Sequence, residues 1–340
     1  MRILSLLLFA TTPIRTLSEA LRATYLVAGL VLLSLSLVAQ AADPVEAFIE
    51  HMSKTQGFDA TQLRKVLSKA HRRQDIIDRM NKPAEHTLNW GQYRKIFLKE
   101  KRINKGAEFW RRNEEALKRA EQTYGVAPQY IVAIIGVETF YGRIAGKDSV
   151  LDALYTLAFH YPKRSKFFTA ELEKYLILTR EEGLDPTRPK GSYAGAMGLG
   201  QFMPSSYLAY AVDFDGDGKR DIWNNETDAI GSVANYFARH GWKAGLPVTT
   251  PVSGVKPIHR KFIDAGLKPQ FTLGKLRQAG LHIDPALGDD LETALFQLVT
   301  DKGPEYWAGL NNFYVITRYN HSELYAMAVY QLGERIREIH

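Results

Sequence analysis

Between Pro128 and Gly142 the chain reads Tyr130-Ile-Val-Ala-Ile-Ile-Gly-Val-Glu138-Thr-Phe-Tyr-Gly142, an apolar run that ends in a carboxylate. Pro128 suits the first turn of a helix, where no N–H donor is needed. A helix through the run sets Ile131, Ile134 and Ile135 on the face of Glu138, at the spacings that bring helical side chains together. A carboxylate among such neighbours loses water around its charged form. Its pKa should therefore rise toward the range in which a side chain donates a proton near neutrality. The plainer alternative is a helix-end glutamate that reaches solvent past the stripe, as acidic side chains usually do.

A second stretch weighs against that alternative. Residues 191–206 read Gly-Ser-Tyr-Ala-Gly-Ala-Met-Gly-Leu-Gly-Gln-Phe-Met-Pro-Ser-Ser, rich in glycine but without the lysine that ends a phosphate-binding loop. Small residues let backbone approach a ligand closely, while Ser192, Gln201 and Met203 offer hydroxyl, amide and soft apolar contacts suited to a neutral polar polymer. Four blocks in order, Ile-Ile-Gly-Val-Glu138-Thr, Gly195-Ala-Met-Gly-Leu-Gly-Gln-Phe-Met-Pro-Ser-Ser206, Asp228-Ala-Ile-Gly-Ser-Val-Ala-Asn-Tyr236-Phe and Ile316-Thr-Arg-Tyr-Asn-His-Ser322, resemble the lytic murein transglycosylase B family. The likeness covers about residues 45–335. It implies a periplasmic enzyme with a lysozyme-like fold that cleaves peptidoglycan between N-acetylmuramic acid and N-acetylglucosamine, leaving 1,6-anhydromuramic ends.

At the N-terminus, Arg2, Arg15 and Arg22 precede an apolar stretch at 25–38, and Ala39-Gln40-Ala41 forms a small-residue cleavage signal. This reads as a signal peptide over residues 1–41. A retained anchor is disfavoured, because the stretch falls short of the ~20 residues that span a bilayer. Cleavage after Ala41 removes three arginines and Glu19, so the net charge drops from +7 to +5. A basic surface suits the acidic stems of peptidoglycan, or serves solubility alone. Nucleic acid fits poorly, since Arg72-Arg73 and Arg111-Arg112 sit in acid-containing helical patterns. There is no cysteine, hence no disulfide for an exported product. Lipoprotein members of the family carry an acylated cysteine after the signal, and this chain departs from them; a protein soluble in the periplasm, without a lipid anchor, is expected. With no coiled-coil heptads, a monomer is the default.

The fold expected is mainly α (α+β). The divisions are a helical domain at 42–127, a lysozyme-like catalytic core at 128–245, a small antiparallel β subdomain at 246–310, and a return to the core at 311–340. Asp59-Ala-Thr-Gln62 reads as a capping-box start to a helix through Ala70, and Asn104 to Tyr124 as one long helix closed by Gly125. Further helices are predicted at 149–160, 165–182, 228–240 and 322–338. Segments beginning Val248-Thr-Thr-Pro, Phe271-Thr-Leu-Gly and Leu295-Phe-Gln-Leu are short, β-prone and punctuated by Pro and Gly.

Asp213-Phe-Asp-Gly-Asp-Gly-Lys-Arg-Asp221 places oxygen side chains at loop positions one, three, five and nine, with Gly218 at six, as an EF-hand calcium loop begins. Its end is irregular, for position twelve is Asn224. The family resemblance implies an enlarged loop closed by Asp228, with a structural calcium held by Asp213, Asp215, Asp217, the Lys219 carbonyl, Asp221 and Asp228. A solvated acidic turn is the alternative, opposed by the mutual repulsion of so many acids.

Tyr93, Tyr236, Tyr319 and Tyr325 match the family's sugar-binding tyrosines, and Phe202, Asn320, Gln201 and Ser192 its other cleft contacts. A ring face packs on a pyranose while its hydroxyl bonds to sugar oxygens. Arg164 is a candidate partner for a muramyl carboxylate or peptide, and equally a surface residue. Most glycosidases use two carboxyls, but apart from Asp228, which the resemblance gives to calcium, the recognised motifs supply only Glu138. The resemblance implies that Glu138 acts as general acid and then base, with the substrate's 2-acetamido group oriented by Ser192 and Gln201. A hydrolytic muramidase and a noncatalytic wall-binding module stay open, and residue spacing alone does not separate lyase from hydrolase. Peptidoglycan strands are the expected partner, with cell-wall synthesis or division proteins as candidate partners.

Overall fold

The structure is a computed structural model that describes residues 43–82 and 88–340; the signal peptide expected at 1–41 lies outside the described residues. The chain divides into two compact units, residues 1–51 and 52–340. Of the first unit the described part is Asp43 and the opening turns of helix α1 (Pro44–Gln56).

Six helices, α2 (Ala60–Leu67), α3 (Gln74–Asn81), α4 (Trp90–Phe97), α5 (Glu100–Arg112), α6 (Glu114–Tyr124) and α7 (Pro128–Thr139), lead to Glu138. Asp59 caps α2 as expected, its carboxylate accepting the Gln62 N–H at 2.7 Å. The helix stops at Leu67 rather than Ala70, because Lys69 and Ala70 donate to carbonyls three residues back and tighten the turn. The single helix expected over 104–124 is two helices. They break at Asn113 (φ −117°, ψ 22°), whose side-chain amide donates to the Phe109 carbonyl. An asparagine that bonds its own backbone competes with the helix ladder.

Helix α7 also differs from the one-faced stripe expected of it. Residues 131–136 are all buried. A helix apolar on every side belongs inside a core, and α7 touches α5, α6, α11 (Glu226–Arg239) and α15 (Glu323–Ile339).

After α7 come strand β1 (Asp148–Ser149), helices α8 (Val150–His160) and α9 (Ser165–Glu181), strand β2 (Lys190–Gly191) and helix α10 (Pro204–Tyr210). Asp148 pairs with Gly191, which brings the segment after Glu138 beside the start of the glycine-rich loop. The starts of α8, α11 and α15 follow their caps: Ser149, Asn225 and Ser322 each accept backbone N–H groups of the first turn. The Asn225 cap is why α11 begins two residues before the expected Asp228.

Strands β3 (Thr249–Val252), β4 (Phe271–Thr272), β5 (Glu292–Thr300) and β6 (Gly303–Leu310) form one antiparallel sheet in the order β3-β6-β5-β4. The long pair sets Thr293 opposite Leu310 and Phe296 opposite Trp307. Helices α12 (Arg260–Ile263) and α13 (Leu273–Gln278) were not expected here. Thr272 ends its strand and caps α13, so Leu273 and Leu276 enter from a helix the cluster formed with Val252, Phe262, Leu295 and Leu310. Helix α14 (Asn311–Tyr319) then leads to α15. The chain is mainly helical with small antiparallel sheets, in agreement with the expected class. Among the described residues, no helix is long and apolar enough to cross a membrane.

Candidate active site

Glu138 sits in the last turn of α7 and is partly exposed. From α15, the buried Tyr325 directs its hydroxyl to Glu138 Oε1 at 2.5 Å. Burial first, and then the negative charge of Glu138, hold that hydroxyl well above the ordinary tyrosine pKa, so it remains a proton donor to the carboxyl. The Tyr319 hydroxyl is raised by the same two causes in the same order.

The other aromatics form a wall beside this pair. Tyr236 lies 4.6 Å from Tyr319 and 4.8 Å from Tyr210 between ring centroids, with His240 stacked on it at 4.0 Å. Phe202 stands about as far from Tyr236 as from Tyr319 and is only 3% exposed. Tyr93, on α4, is buried against Phe97 and close enough to Tyr325 to raise its pKa further.

The structure thus brings Glu138, Tyr93, Phe202, Tyr236, Tyr319 and Tyr325 together from distant parts of the chain. The Tyr236 hydroxyl donates to the Arg318 carbonyl and the Tyr319 hydroxyl to the Gly200 carbonyl, both at 2.6 Å. Together with Tyr325, three hydroxyl protons are donated within the protein, which leaves their oxygens as acceptors. Phe202 supports the wall from behind, because its ring is almost wholly covered.

The glycine-rich loop folds over its own polar groups. Ser192 Oγ accepts from the Ala194 and Ala196 N–H groups at 3.3 and 3.1 Å, which leaves the hydroxyl proton as its donor. Gln201, at a left-handed φ of 51°, donates both protons of its amide, to Ala145 and Gly198 carbonyls at 3.1 and 2.9 Å. Since a carbonyl only accepts, the nitrogen is fixed on that side, which leaves the Gln201 oxygen as an acceptor. Gly198 (φ +70°) must lack a side chain, for a Cβ there would stand 2.5 Å from the Ile222 carbonyl oxygen. Met203 is the partly exposed N-cap residue of α10. Asn320 ends α14 with its side chain partly exposed. Arg164 is exposed, and its guanidinium lies over the Phe167 ring at 4.3 Å and the Phe168 ring at 5.1 Å.

Sequence reasoning overlooked four side chains here. Tyr193, beside Ser192, is 36% exposed with Arg79 over its ring at 4.9 Å, and is the most accessible aromatic of the loop. Its place within the Gly-Ser-Tyr segment was the available signal. Tyr210 and His240 pack on Tyr236 at distances that no local pattern announces. Thr139 follows Glu138 directly and is fully buried.

The buried acids among the described residues are Asp148, Glu171 and Asp228. Each has both carboxylate oxygens engaged by protein donors. Asp148 is bracketed by Arg79 at 3.0 and 3.1 Å, Glu171 by the Ser205 N–H and hydroxyl, and Asp228 by the Phe214 and Asp221 N–H groups. They hold the fold.

In the acidic loop, Asp213, Asp215 and Asp217 bring oxygens within 4.8 Å of one another. Asp221 and Asp228 stand outside that trio. Asp221 caps the turn through the Trp223 and Asn224 N–H groups, and Asp228 clamps the two ends of the loop. Lys219 is exposed, with its N–H on Asp217. Asn225 donates to Asp215 and is the main cause that lowers its pKa.

This fold and cleft have known relatives. The Transglycosylase SLT domain family matches residues 40–334. The membrane-bound lytic murein transglycosylase B of Escherichia coli (strain K12) is 46% identical over 300 residues, 86% of this chain and 82% of that protein. Soluble lytic transglycosylase SltB1 from Pseudomonas aeruginosa superposes with a TM-score of 0.83 at 49% identity, over 87% of this chain and 98% of that one. The Escherichia coli lytic transglycosylase Slt35, solved in complex with calcium, gives 0.79 at 45% identity, over 87% and 93%. The chain belongs to the transglycosylase SLT family and is an enzyme of the lytic transglycosylase kind.

Proposed function

We propose that the chain is a peptidoglycan lytic transglycosylase in which Glu138 is the sole catalytic carboxyl. The observation that carries this reading is the pairing of Glu138 with the buried Tyr325 hydroxyl, while the buried acids among the described residues, Asp148, Glu171 and Asp228, are saturated by protein donors. A mechanism with a second carboxylate, the usual arrangement in glycosidases, has no free candidate among those acids.

Glu138 gives its proton to the glycosidic oxygen between N-acetylmuramic acid and N-acetylglucosamine, and the bond from that oxygen to the muramyl C1 breaks. The cationic sugar is stabilised by its own 2-acetamido group. Ser192 supplies a donor and Gln201 an acceptor, which match the carbonyl and the N–H of an acetamide. The muramyl C6 hydroxyl oxygen then bonds to C1 and its proton returns to Glu138, closing the 1,6-anhydro ring with no water consumed. Digestion of purified peptidoglycan, with fragment ends read by mass spectrometry, tests this: anhydro ends support it, and reducing ends make the enzyme a hydrolase.

The loop at 213–228 fits a hard divalent cation through the clustered oxygens of Asp213, Asp215 and Asp217. Calcium bound there, with the Lys219 carbonyl and Asp221 completing the set and Asp228 keeping the loop closed, supplies rigidity rather than chemistry. Export to the periplasm follows the signal-peptide reading.

A further inference from the structure

Three consecutive residues after Thr139 occupy the left-handed region: Phe140 (φ 52°), Tyr141 (φ 59°) and Gly142 (φ 81°). A helix that simply had to stop would do so on one glycine, as α6 does at Gly125. Bulky residues at positive φ are strained, and persist where the surroundings over-determine them, commonly at functional sites. Here the turn is held from two sides.

On the helix side, the Tyr141 hydroxyl donates to the Arg102 carbonyl at 3.0 Å, and Arg102 donates to the Gly136 carbonyl at 2.9 Å. A Cβ at Gly136 would stand 2.6 Å from that tyrosine oxygen, so the ring lies directly on the helix. On the cleft side, one buried hydroxyl makes the connection. Thr139 Oγ1 lies 2.9 Å from the Leu199 carbonyl and 3.1 Å from the Ile135 carbonyl, and accepts the Gly142 N–H at 3.0 Å. Leu199 is itself fixed, its N–H donating to the Ile222 carbonyl at 2.9 Å. Leu199 sits in the glycine-rich loop two residues before Gln201.

We propose that Thr139 is a positioning residue: its hydroxyl ties the end of the Glu138 helix to the glycine-rich loop, and so sets the distance between the proton-transferring carboxyl and the groups that orient the acetamido substrate. The proposal rests on the reading of Glu138 given above. Thr139 touches no substrate. It acts by denying the last turn of α7 the freedom to rotate away from Ser192 and Gln201, and an ångström-scale misplacement of this kind costs about 100-fold in rate.

The test compares Thr139→Val, which keeps the shape and deletes the hydroxyl, with Thr139→Ser, which keeps the hydroxyl, each with and without Glu138→Gln, on purified peptidoglycan. Thr139→Val is expected to lower kcat about 100-fold with KM changed by no more than about twofold. Thr139→Ser is expected to recover most of that loss. Adding Thr139→Val to Glu138→Gln is expected to cost nothing more, because the carboxyl being positioned is gone. Melting curves establish that each protein is folded at the assay temperature. Should the valine variant not fold, Thr139→Cys, whose thiol is a weak donor, gives the same comparison with an intermediate kcat. A valine variant with near-normal kcat beside an inactive Glu138→Gln overturns the positioning role alone. So does a loss that serine fails to rescue or that falls on KM. An active Glu138→Gln overturns this proposal together with the reading it rests on.

Discussion

At the end of α7, Glu138 lies among tyrosine rings at the edge of a buried helix and takes a side-chain hydroxyl. In the 213–228 loop the clustered carboxylates take backbone N–H groups instead: Asp213 from Gly216, Asp217 and Gly218, and Asp217 from Lys219. Both regions turn through left-handed residues, yet the loop uses Gly216 and Gly218 while the helix end forces Phe140 and Tyr141 into that conformation. Carboxylates ringed by amides in an exposed loop suit a permanent charge and a cation. A carboxyl at an apolar helix end, held by a strained turn, suits one that gains and loses a proton. On the proposed reading, the difference separates acids that bind from an acid that reacts.

Removing the reacting acid should have the largest effect. Glu138→Gln is expected to lower kcat by at least about 1000-fold, in the upper range of general acid–base contributions, while an intact glycan fragment still binds with near wild-type affinity in a calorimeter. If binding is lost as well, Glu138 is part of the docking surface and the separation fails.

The loop should respond in stability and not in rate. Free calcium at 100 times its Kd is expected to stabilise the fold by about 2.7 kcal/mol, seen as a Tm that falls on chelation, with kcat below the transition unchanged. Asp213→Asn should abolish that calcium-dependent shift, whereas a chelator that stops turnover of folded protein would join the two regions that the comparison separates.

Tyr325→Phe takes away the hydroxyl on Glu138 Oε1 and leaves the ring. About tenfold in kcat, or ~1.4 kcal/mol, is expected for a hydrogen bond to a charged partner, with KM little changed. An unaltered kcat would show that the tyrosine packs but does not orient.

The smallest effect is a pH dependence of stability from the wall. Burial lowers the pKa of His240 from its ordinary value of 6.5, so the folded state prefers the neutral ring stacked on Tyr236. The unfolded chain then binds the proton more readily. This contribution is present above about pH 6.5 and is lost as pH falls through the lower folded value. His240→Gln should flatten the fall in Tm between neutral and mildly acidic pH; an unchanged slope would place the titration elsewhere, His160 being shifted the same way by burial and the charge of Arg72.

Local chemistry made much of this legible in the chain. Pro128 at the start of α7, Asp59 at the start of α2 and Gly125 at the end of α6 each act on backbone within a turn of themselves, and each stands where it was expected. The Asn113 break and the Thr272 cap are local too, but a side chain that bonds its own backbone is easily read as one more polar residue of a periodic pattern. The tyrosines were found through motif resemblance, while the fate of their hydroxyls was hidden, because the Tyr319 partner lies on Gly200 and the Tyr325 partner on Glu138, far away in sequence. The positioning bond from Thr139 to Leu199 is of the same kind, fixed by tertiary contact alone.

The most direct test of the central claim is the chemistry of the new ends. Purified peptidoglycan is digested with the protein and, in parallel, with Glu138→Gln, and the soluble fragments are weighed by mass spectrometry. Muropeptides lighter by one water than their reducing-ended counterparts, and absent from the variant digest, are the predicted result. Reducing ends, or the same anhydro fragments released by Glu138→Gln, would contradict a single-carboxyl lytic mechanism.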